Sequence, residues 1–120
     1  MNNENFTVED EANLRENLKK CSEETIEAVV AFRKTSDTTL IPQIIVGILD
    51  RFVEEEFKPL LANPSDDMVL AEALGLDSLT MVEIVLAVEE AIGTTIDNDE
   101  IEALKTLGDI KSFVEKKVSA

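Results

Sequence analysis

Apolar residues recur at helical spacing along almost the whole chain, and this periodicity restricts the fold more than any other feature of the sequence. The 4 Gly, 3 Pro and 5 aromatic residues, all Phe, leave little material for a sandwich of short strands and tight turns. The 120 residues, 44% of them hydrophobic, are enough for one small core but not for two full domains. We therefore predict an all-α protein.

The N-terminal part of the chain predicts a helical extension. Thr7, followed three residues later by Asp10, is typical of a helix N-cap. Ser22 is followed by two glutamates and indicates a second N-cap, because carboxylates favour the first turn of a helix. We therefore prefer two helices to one long helix. Polar residues 35–39 predict a linker, so we assign residues 1–39 to the extension.

Residues 40–120 predict a bundle of three longer helices and one short helix. Pro42 suits the first turn of the first helix, which we expect to end before Asn63. The loop that follows should pack on the core through its apolar residues Met68, Val69, Leu70 and Leu74. The other predicted helices run from Ser78 to a stop at Gly93, from an N-cap at Asp97 through Leu104, and onward from an N-cap at Thr106.

The charge of the chain limits its partners. The 11 basic and 26 acidic residues give a net charge of −15, which repels phosphate backbones and anionic lipids. We therefore expect neither nucleic acid nor membrane surfaces as partners. No Lys or Arg occurs between Pro59 and Leu104, so this stretch should attract basic protein surfaces.

Several other classes of protein are disfavoured by simple absences. The sequence has no apolar run of about 18 residues and no start typical of a signal peptide, so we expect a cytoplasmic protein. The chain has one cysteine and no histidine, which argues against a disulfide and against a zinc site. We expect Cys21 to be a small helix residue, because reactive thiols need an electropositive setting.

Ser78 is a poor candidate for a catalytic nucleophile. A nucleophilic serine needs a base within hydrogen-bond reach, usually a histidine, and this chain has none. The nearest lysines in sequence, Lys58 and Lys105, are far along the chain. Leu76 and Thr80 stand where a Gly-x-Ser-x-Gly elbow needs glycines.

Modification of Ser78 fits its surroundings better. At the start of a helix, unpaired backbone N–H groups and the positive end of the macrodipole stabilise a phosphodiester. Gly75 gives the chain freedom to turn sharply into that helix. Asp77 can cap the helix and can also offer an oxygen to a hard cation such as Mg²⁺ while a phosphate-bearing group is attached.

The segment Leu74-Gly75-Leu76-Asp77-Ser78-Leu79, followed by an acidic helix and a short third helix, resembles the acyl carrier proteins. The resemblance covers roughly residues 41–118, in motif and in helix order. It implies that Ser78 bears 4'-phosphopantetheine, that acyl groups are held on this arm as thioesters, and that the chain is a substrate of other enzymes and not itself an enzyme. The implied partners are a phosphopantetheinyl transferase and acyl-handling enzymes with basic docking patches, and we expect the carrier to be a monomer.

The resemblance also assigns two surfaces. Asp77, Glu83, Glu89 and Glu90 match the face that partner enzymes recognise, and the missing cations strengthen its field. An acyl chain in this family folds back between the second helix and the rest of the bundle. The matching lining consists of Leu70, Leu79, Val82, Val85, Leu86, Val88, Ile96, Ile101, Leu104, Ile110 and Phe113.

The chain departs from the family pattern in three places. Ala73 and Thr80 stand where acidic residues are common, which puts in doubt which transferase and which partner enzymes fit. The third departure is the extension, interpreted as a helical cap on the bundle, with docking to a dedicated synthase or self-association as the alternatives.

Other functions remain open at this point. A calcium site near Asp97 is disfavoured, because Glu102 and Gly108 stand where an EF-hand loop needs Gly and Glu. An aminoacyl or peptidyl carrier shares the arm, and an acidic adaptor would leave Ser78 unmodified. Fatty-acid, specialised-lipid and polyketide synthesis all use the same arm, so the sequence does not identify the cargo.

Overall fold

The computed structural model describes residues 6–119, which form an all-α fold, as predicted. Within this range there are seven α-helices: α1 (Val8–Asn17), α2 (Glu23–Thr35), α3 (Ile41–Phe52), α4 (Leu70–Ala73), α5 (Ser78–Ile92), α6 (Asn98–Ala103) and α7 (Leu107–Ser119). Two 3₁₀ helices, Thr38–Leu40 and Glu55–Leu61, complete the described elements. Helices α3, α5, α6 and α7 are the predicted bundle of three longer helices and one short helix.

The N-terminal extension is a hairpin of two helices, as predicted. Thr7 and Asp10 form a reciprocal capping box at the start of α1, and the Ser22 hydroxyl accepts a hydrogen bond from the Thr25 N–H at the start of α2. Helix α2 is followed by its C-cap Ser36, which has a left-handed φ of 60°. The division of the chain at residue 39 stays a prediction.

Cys21 lies in the turn between α1 and α2, so its expected position within a helix is wrong. The residue is buried, and this burial raises the pKa of its thiol. A raised pKa keeps the sulfur protonated and unreactive at neutral pH.

Helix α3 is shorter than the sequence predicted, since we expected it to continue until shortly before Asn63. It begins with Pro42 in its first turn, as predicted, and its apolar stripe is buried. It ends at Phe52, because Val53 adopts an extended conformation. The next segment, 55–61, contains Pro59 and is a 3₁₀ helix. Pro59 has no backbone N–H, so an α-helix continued through this position would lose one of its hydrogen bonds.

The loop before α5 is held against the core, as expected. Leu70 and Leu74 are buried, and a short helix that the sequence did not predict, α4, lies between Val69 and Leu74. Backbone hydrogen bonds tie the loop to the start of α7: the Leu107 N–H donates to the Met68 carbonyl at 3.1 Å, and the Leu70 N–H to the Lys105 carbonyl at 3.0 Å. This pairing fixes the chain that leads into Ser78.

The hairpin and the bundle share one hydrophobic core. Leu18 and Phe32 of the hairpin are buried in the same cluster as Ile48 and Ile84 of the bundle. Helices α2 and α3 approach so closely at Gly47 that a Cβ there would lie 2.1 Å from Thr25 Oγ1. A glycine inside a helix is unfavourable on its own, so this close approach explains its presence. Among the described residues, no helix is both long and apolar enough to span a membrane.

Candidate functional site

Ser78 is the first residue of α5, and its side chain is exposed. Among the described residues, its hydroxyl takes part in no hydrogen bond, so it is available for modification. Helix α5 is 15 residues long, and its start is favourable for a negatively charged group because the macrodipole is positive there.

Asp77 is the N-cap of α5, as predicted. Its carboxylate accepts a hydrogen bond from the Thr80 N–H at 2.7 Å. This bond from the Thr80 backbone holds the pKa of Asp77 below its ordinary value. Asp77 therefore stays ionised through the neutral pH range and fixes the helix start beside Ser78.

Replacing Asp77 with alanine should lower the melting temperature by about 3–6 °C at pH 7, because the Thr80 N–H loses its partner. The folded-state pKa of Asp77 lies below the unfolded value, so its contribution is complete above about pH 4 and is lost as the pH falls through the folded pKa. Thermal melts of the wild type and Asp77→Ala between pH 2 and pH 7 should therefore converge at low pH. Asp67→Ala, the matched change at an exposed loop carboxylate, should have the same melting temperature as the wild type at pH 7. A difference for Asp77→Ala that is constant with pH would contradict the capping role.

The turn that carries Ser78 is anchored by alternate residues. Leu74 and Leu76 are buried, whereas Gly75, Asp77 and Ser78 are exposed. Gly75 has a φ of 63°, a backbone conformation that residues other than glycine rarely adopt. The sharp turn that the sequence predicted here is therefore confirmed, and it presents Ser78 at the surface.

A cleft of about 450 Å³ opens beside Ser78; we call it the Ser78 cleft. Its walls are apolar and consist of Val69, Ala71, Met81, Val82, Val85, Ile101 and Leu104. Its rim carries Ser78 with Glu72, Glu102 and Lys105. Met81 lies one turn after Ser78 on α5 and lines the cleft, although the sequence did not assign it to the acyl lining.

Four residues of the predicted acyl lining contribute to the Ser78 cleft: Val82, Val85, Ile101 and Leu104. Others are in the core but outside this cleft, namely Leu70, Val88, Ile96 and Ile110, and Phe113 is half-buried. Contact of any of these residues with an acyl chain stays a prediction. Val69 and Ala71 were missed because the loop around α4 has no periodic pattern that indicates which of its side chains face the core.

The sequence places Leu79 and Leu86 in the lining between α5 and the rest of the bundle, and for these two residues that position is wrong. Their exposed fractions are 67% and 55%, and that of Val82 is 39%. Helix α5 has two apolar stripes, and the one that faces the core contains Ile84, Val85 and Val88. Leu79 and Leu86 lie on the opposite stripe with Glu83, so the outer face of α5 combines exposed apolar and acidic side chains.

The acidic residues of α5 are not equivalent. Glu83 and Glu90 are exposed, whereas Glu89 is half-buried. The Asn17 side-chain amide of the hairpin donates a hydrogen bond to the Glu90 carboxylate, and Arg33 donates to the Glu90 backbone carbonyl at 3.1 Å. The hairpin therefore covers the C-terminal end of α5. Of the three glutamates, Glu83 is exposed and lies farthest from these contacts with the hairpin.

Residues 59–104 contain no Lys or Arg, but cationic side chains from other parts of the chain lie close to them. Lys105 lies at the rim of the Ser78 cleft, and Arg33 and Arg51 border depressions along α5. Lys105 is far from Ser78 along the chain but lines the same cleft, because the loop before α5 and the start of α7 are paired. This pairing brings Lys105 to the cleft together with Glu72 and Glu102.

Comparisons with known proteins agree on one family. Residues 48–114 match the family description "Phosphopantetheine attachment site", and this range begins after the hairpin. An acyl carrier protein of Exiguobacterium sibiricum is 34% identical over 76 residues, which is 63% of this chain and 95% of that protein. An acyl carrier protein of Sulfurovum sp. is 44% identical over 73 residues, covering 58% of this chain and 97% of that protein.

Another acyl carrier protein, from Thermosynechococcus vestitus, is 46% identical over 50 residues. That match covers 42% of this chain and 62% of the relative, so the chain spans less than two thirds of that protein. No solved structure matches the chain.

Proposed function

This chain belongs to the acyl carrier protein family, and on that premise we propose that Ser78 bears the 4'-phosphopantetheine that the family carries covalently. Bound there, the group supplies a terminal thiol on which acyl chains are held as thioesters. The observation that carries the proposal is an exposed serine hydroxyl, without a hydrogen-bond partner among the described residues, at the start of a long helix beside an apolar cleft. We further propose fatty-acid or related lipid synthesis in the cytoplasm as the setting, with the chain acting as a monomer.

The chain's own residues suit attachment at Ser78 Oγ. When Oγ forms its bond to phosphorus, the pyrophosphate bond of coenzyme A breaks, adenosine bisphosphate leaves, and the hydroxyl proton passes to a base of the transferase. The start of α5 stabilises the resulting phosphodiester. Asp77 keeps the helix start in place, and Lys105 at the rim of the Ser78 cleft supplies a positive charge on a surface otherwise dominated by acids.

The Ser78 cleft is the proposed shelter for the carried acyl chain. Its volume falls within the roughly 300–1,000 Å³ of small-ligand pockets, and its walls are apolar. One wall, formed by Ile101 and Leu104, comes from the short helix α6 and the residue after it. The apolar walls favour an acyl chain over an aminoacyl group, whose ammonium would lose its hydration there.

The test of this function is an intact-mass measurement of the full chain after incubation with coenzyme A, Mg²⁺ and a broad-range phosphopantetheinyl transferase. We expect a mass increase of one phosphopantetheine, located by fragmentation in the peptide that contains Ser78. An unchanged mass would favour the acidic adaptor and contradict the carrier role. Identifying the thioester on protein from the native host then separates fatty-acyl from polyketide and aminoacyl cargo.

Glu83 is the proposed centre of electrostatic recognition by partner enzymes, because the hairpin leaves it open on the outer face of α5. Glu83→Lys should lower kcat/KM for the same transferase by about 5–10-fold at low ionic strength, and added salt should reduce the difference. Glu115→Lys makes the same charge change on α7 and should alter kcat/KM by less than about 2-fold. Equal effects of the two variants would mean that only the net charge matters.

A further inference from the structure

The hairpin helps to form a depression on the outer side of α5, which we call the Leu86 depression. Its volume is about 370 Å³, and its apolar part includes Leu18, Phe52 and Leu86. Asn17, Glu83 and Glu90 form much of its polar rim. An apolar centre with a polar rim is the usual composition of a protein-binding site.

The Leu86 depression exists in this form because the hairpin is docked. Asn17 and Leu18 come from the end of α1 and the turn after it, whereas the other wall belongs to α3 and α5. The hydrogen bond from Asn17 to Glu90 and the bond from Arg33 to the Glu90 carbonyl hold the hairpin against α5. A carrier limited to the four helices of the bundle lacks this wall.

The Leu86 depression lies within reach of any protein that acts on Ser78 from the outer face of α5. Leu86 is eight residues after Ser78, which corresponds to about 12 Å along the helix. A standard interface covers about 800 Å² of each partner, equivalent to a disc of roughly 16 Å radius. A partner centred near Ser78 therefore covers Leu86 and approaches Asn17.

We propose that the hairpin is part of the surface that enzymes recognise, and that these partners place an apolar side chain, flanked by Lys or Arg, in the Leu86 depression. Charge complementarity supports this occupant, because Glu83 and Glu90 border the depression in a chain of net charge −15. Among the described residues that line the depression, Arg51 is the one cation, and it packs over the Phe52 ring at 4.5 Å. Glu83 and Glu90 are exposed. The inference rests on the proposed modification of Ser78.

The test compares asparagine-to-lysine changes inside and outside the depression in the full chain. Asn17→Lys keeps a donor for Glu90 but adds a positive charge at the rim, so it should repel a basic partner. We expect kcat/KM for the broad-range phosphopantetheinyl transferase to fall about 3–10-fold at low salt and to recover at high salt. Asn63→Lys makes the same chemical change at an exposed residue of the loop before α4 and should leave the rate unchanged.

A second pair of variants tests the apolar part of the Leu86 depression. Leu86→Ala should lower kcat/KM by a similar factor, whereas Leu60→Ala, at another exposed leucine, should not. If Leu86→Ala lowers the rate and Asn17→Lys does not, partners dock on α5 alone and the inference is overturned. If wild type, Asn17→Lys and Asn63→Lys all gain mass at one rate, the inference fails while the proposed function stands.

Two further results are decisive. No mass gain in the wild type contradicts the proposed function itself. Sedimentation of the wild type should give a monomer; a dimer that Leu86→Ala dissociates would assign the depression to a second copy and overturn the proposal. Thermal melts of each variant must lie close to the wild-type melt, because a lost hairpin would also lower the rate.

Discussion

Replacing Ser78 with alanine should abolish the incorporation of phosphopantetheine, while the wild-type chain is converted in full by coenzyme A, Mg²⁺ and a broad-range transferase. The reason is chemical, since alanine has no oxygen to form the phosphodiester. The fold should be unaffected, because the Ser78 side chain is exposed and its hydroxyl makes no hydrogen bond within the described residues. Intact-mass spectra and thermal melts of both proteins provide the two readings.

Ser112→Ala is the matched control for this variant. Ser112 is an exposed serine on α7, so the same hydroxyl is removed from another helix. Ser112→Ala should gain mass like the wild type. An equal mass gain on Ser78→Ala would place the attachment on another residue and end the proposal for Ser78.

Gly47→Ala should destabilise the chain although alanine is the better helix former. The new Cβ would lie 2.1 Å from Thr25 Oγ1 and 2.7 Å from Thr25 Cγ2, and Thr25 is a buried residue with a stiff, β-branched side chain. Overpacking of this kind costs about 1–3 kcal/mol, which exceeds the roughly 1 kcal/mol gained in helix propensity in most of that range. The net cost is up to about 2 kcal/mol, so we expect the melting temperature to fall by up to about 10 °C.

A double-mutant cycle with Thr25→Ala identifies the cause. Thr25→Ala removes two of the three clashing atoms, so Gly47→Ala should destabilise this background much less than the wild type. Ser112→Ala again serves as control, because it changes an exposed helix residue to alanine without a clash. If Gly47→Ala stabilises the wild type, α2 does not lie as close to α3 as the structure places it.

Predictions that depend on a few neighbouring residues were correct. The caps at Thr7, Ser22, Asp77 and Asp97 are formed by side chains within three residues of the groups that they bind. The left-handed stop at Gly93 is equally local, so the bounds of α5 could be given in advance. Local chemistry thus determined most helix starts and the exposure of Ser78.

Features that depend on distant contacts could not be predicted in the same way. Helix α5 is apolar on two sides, so its period does not indicate that Leu79 and Leu86 face outward. Asn17, Arg33 and Glu90 meet only because the hairpin folds back over α5, and no local pattern signals that contact. Lys105 reaches the Ser78 cleft through the pairing of Leu70 with the residue before α7.

The contact between Gly47 and Thr25 has a consequence for protein engineering. A hairpin that carries threonine at position 25 would clash when grafted onto a carrier whose first long helix has any side chain at the position of Gly47, because that side chain would overlap with Thr25. A glycine at this position of the first long helix therefore indicates that a carrier can accept such a hairpin, and it can be recognised from the sequence when chimeric carriers are designed. A graft that ignores it is expected to leave the added helices undocked, with their apolar faces open to aggregation.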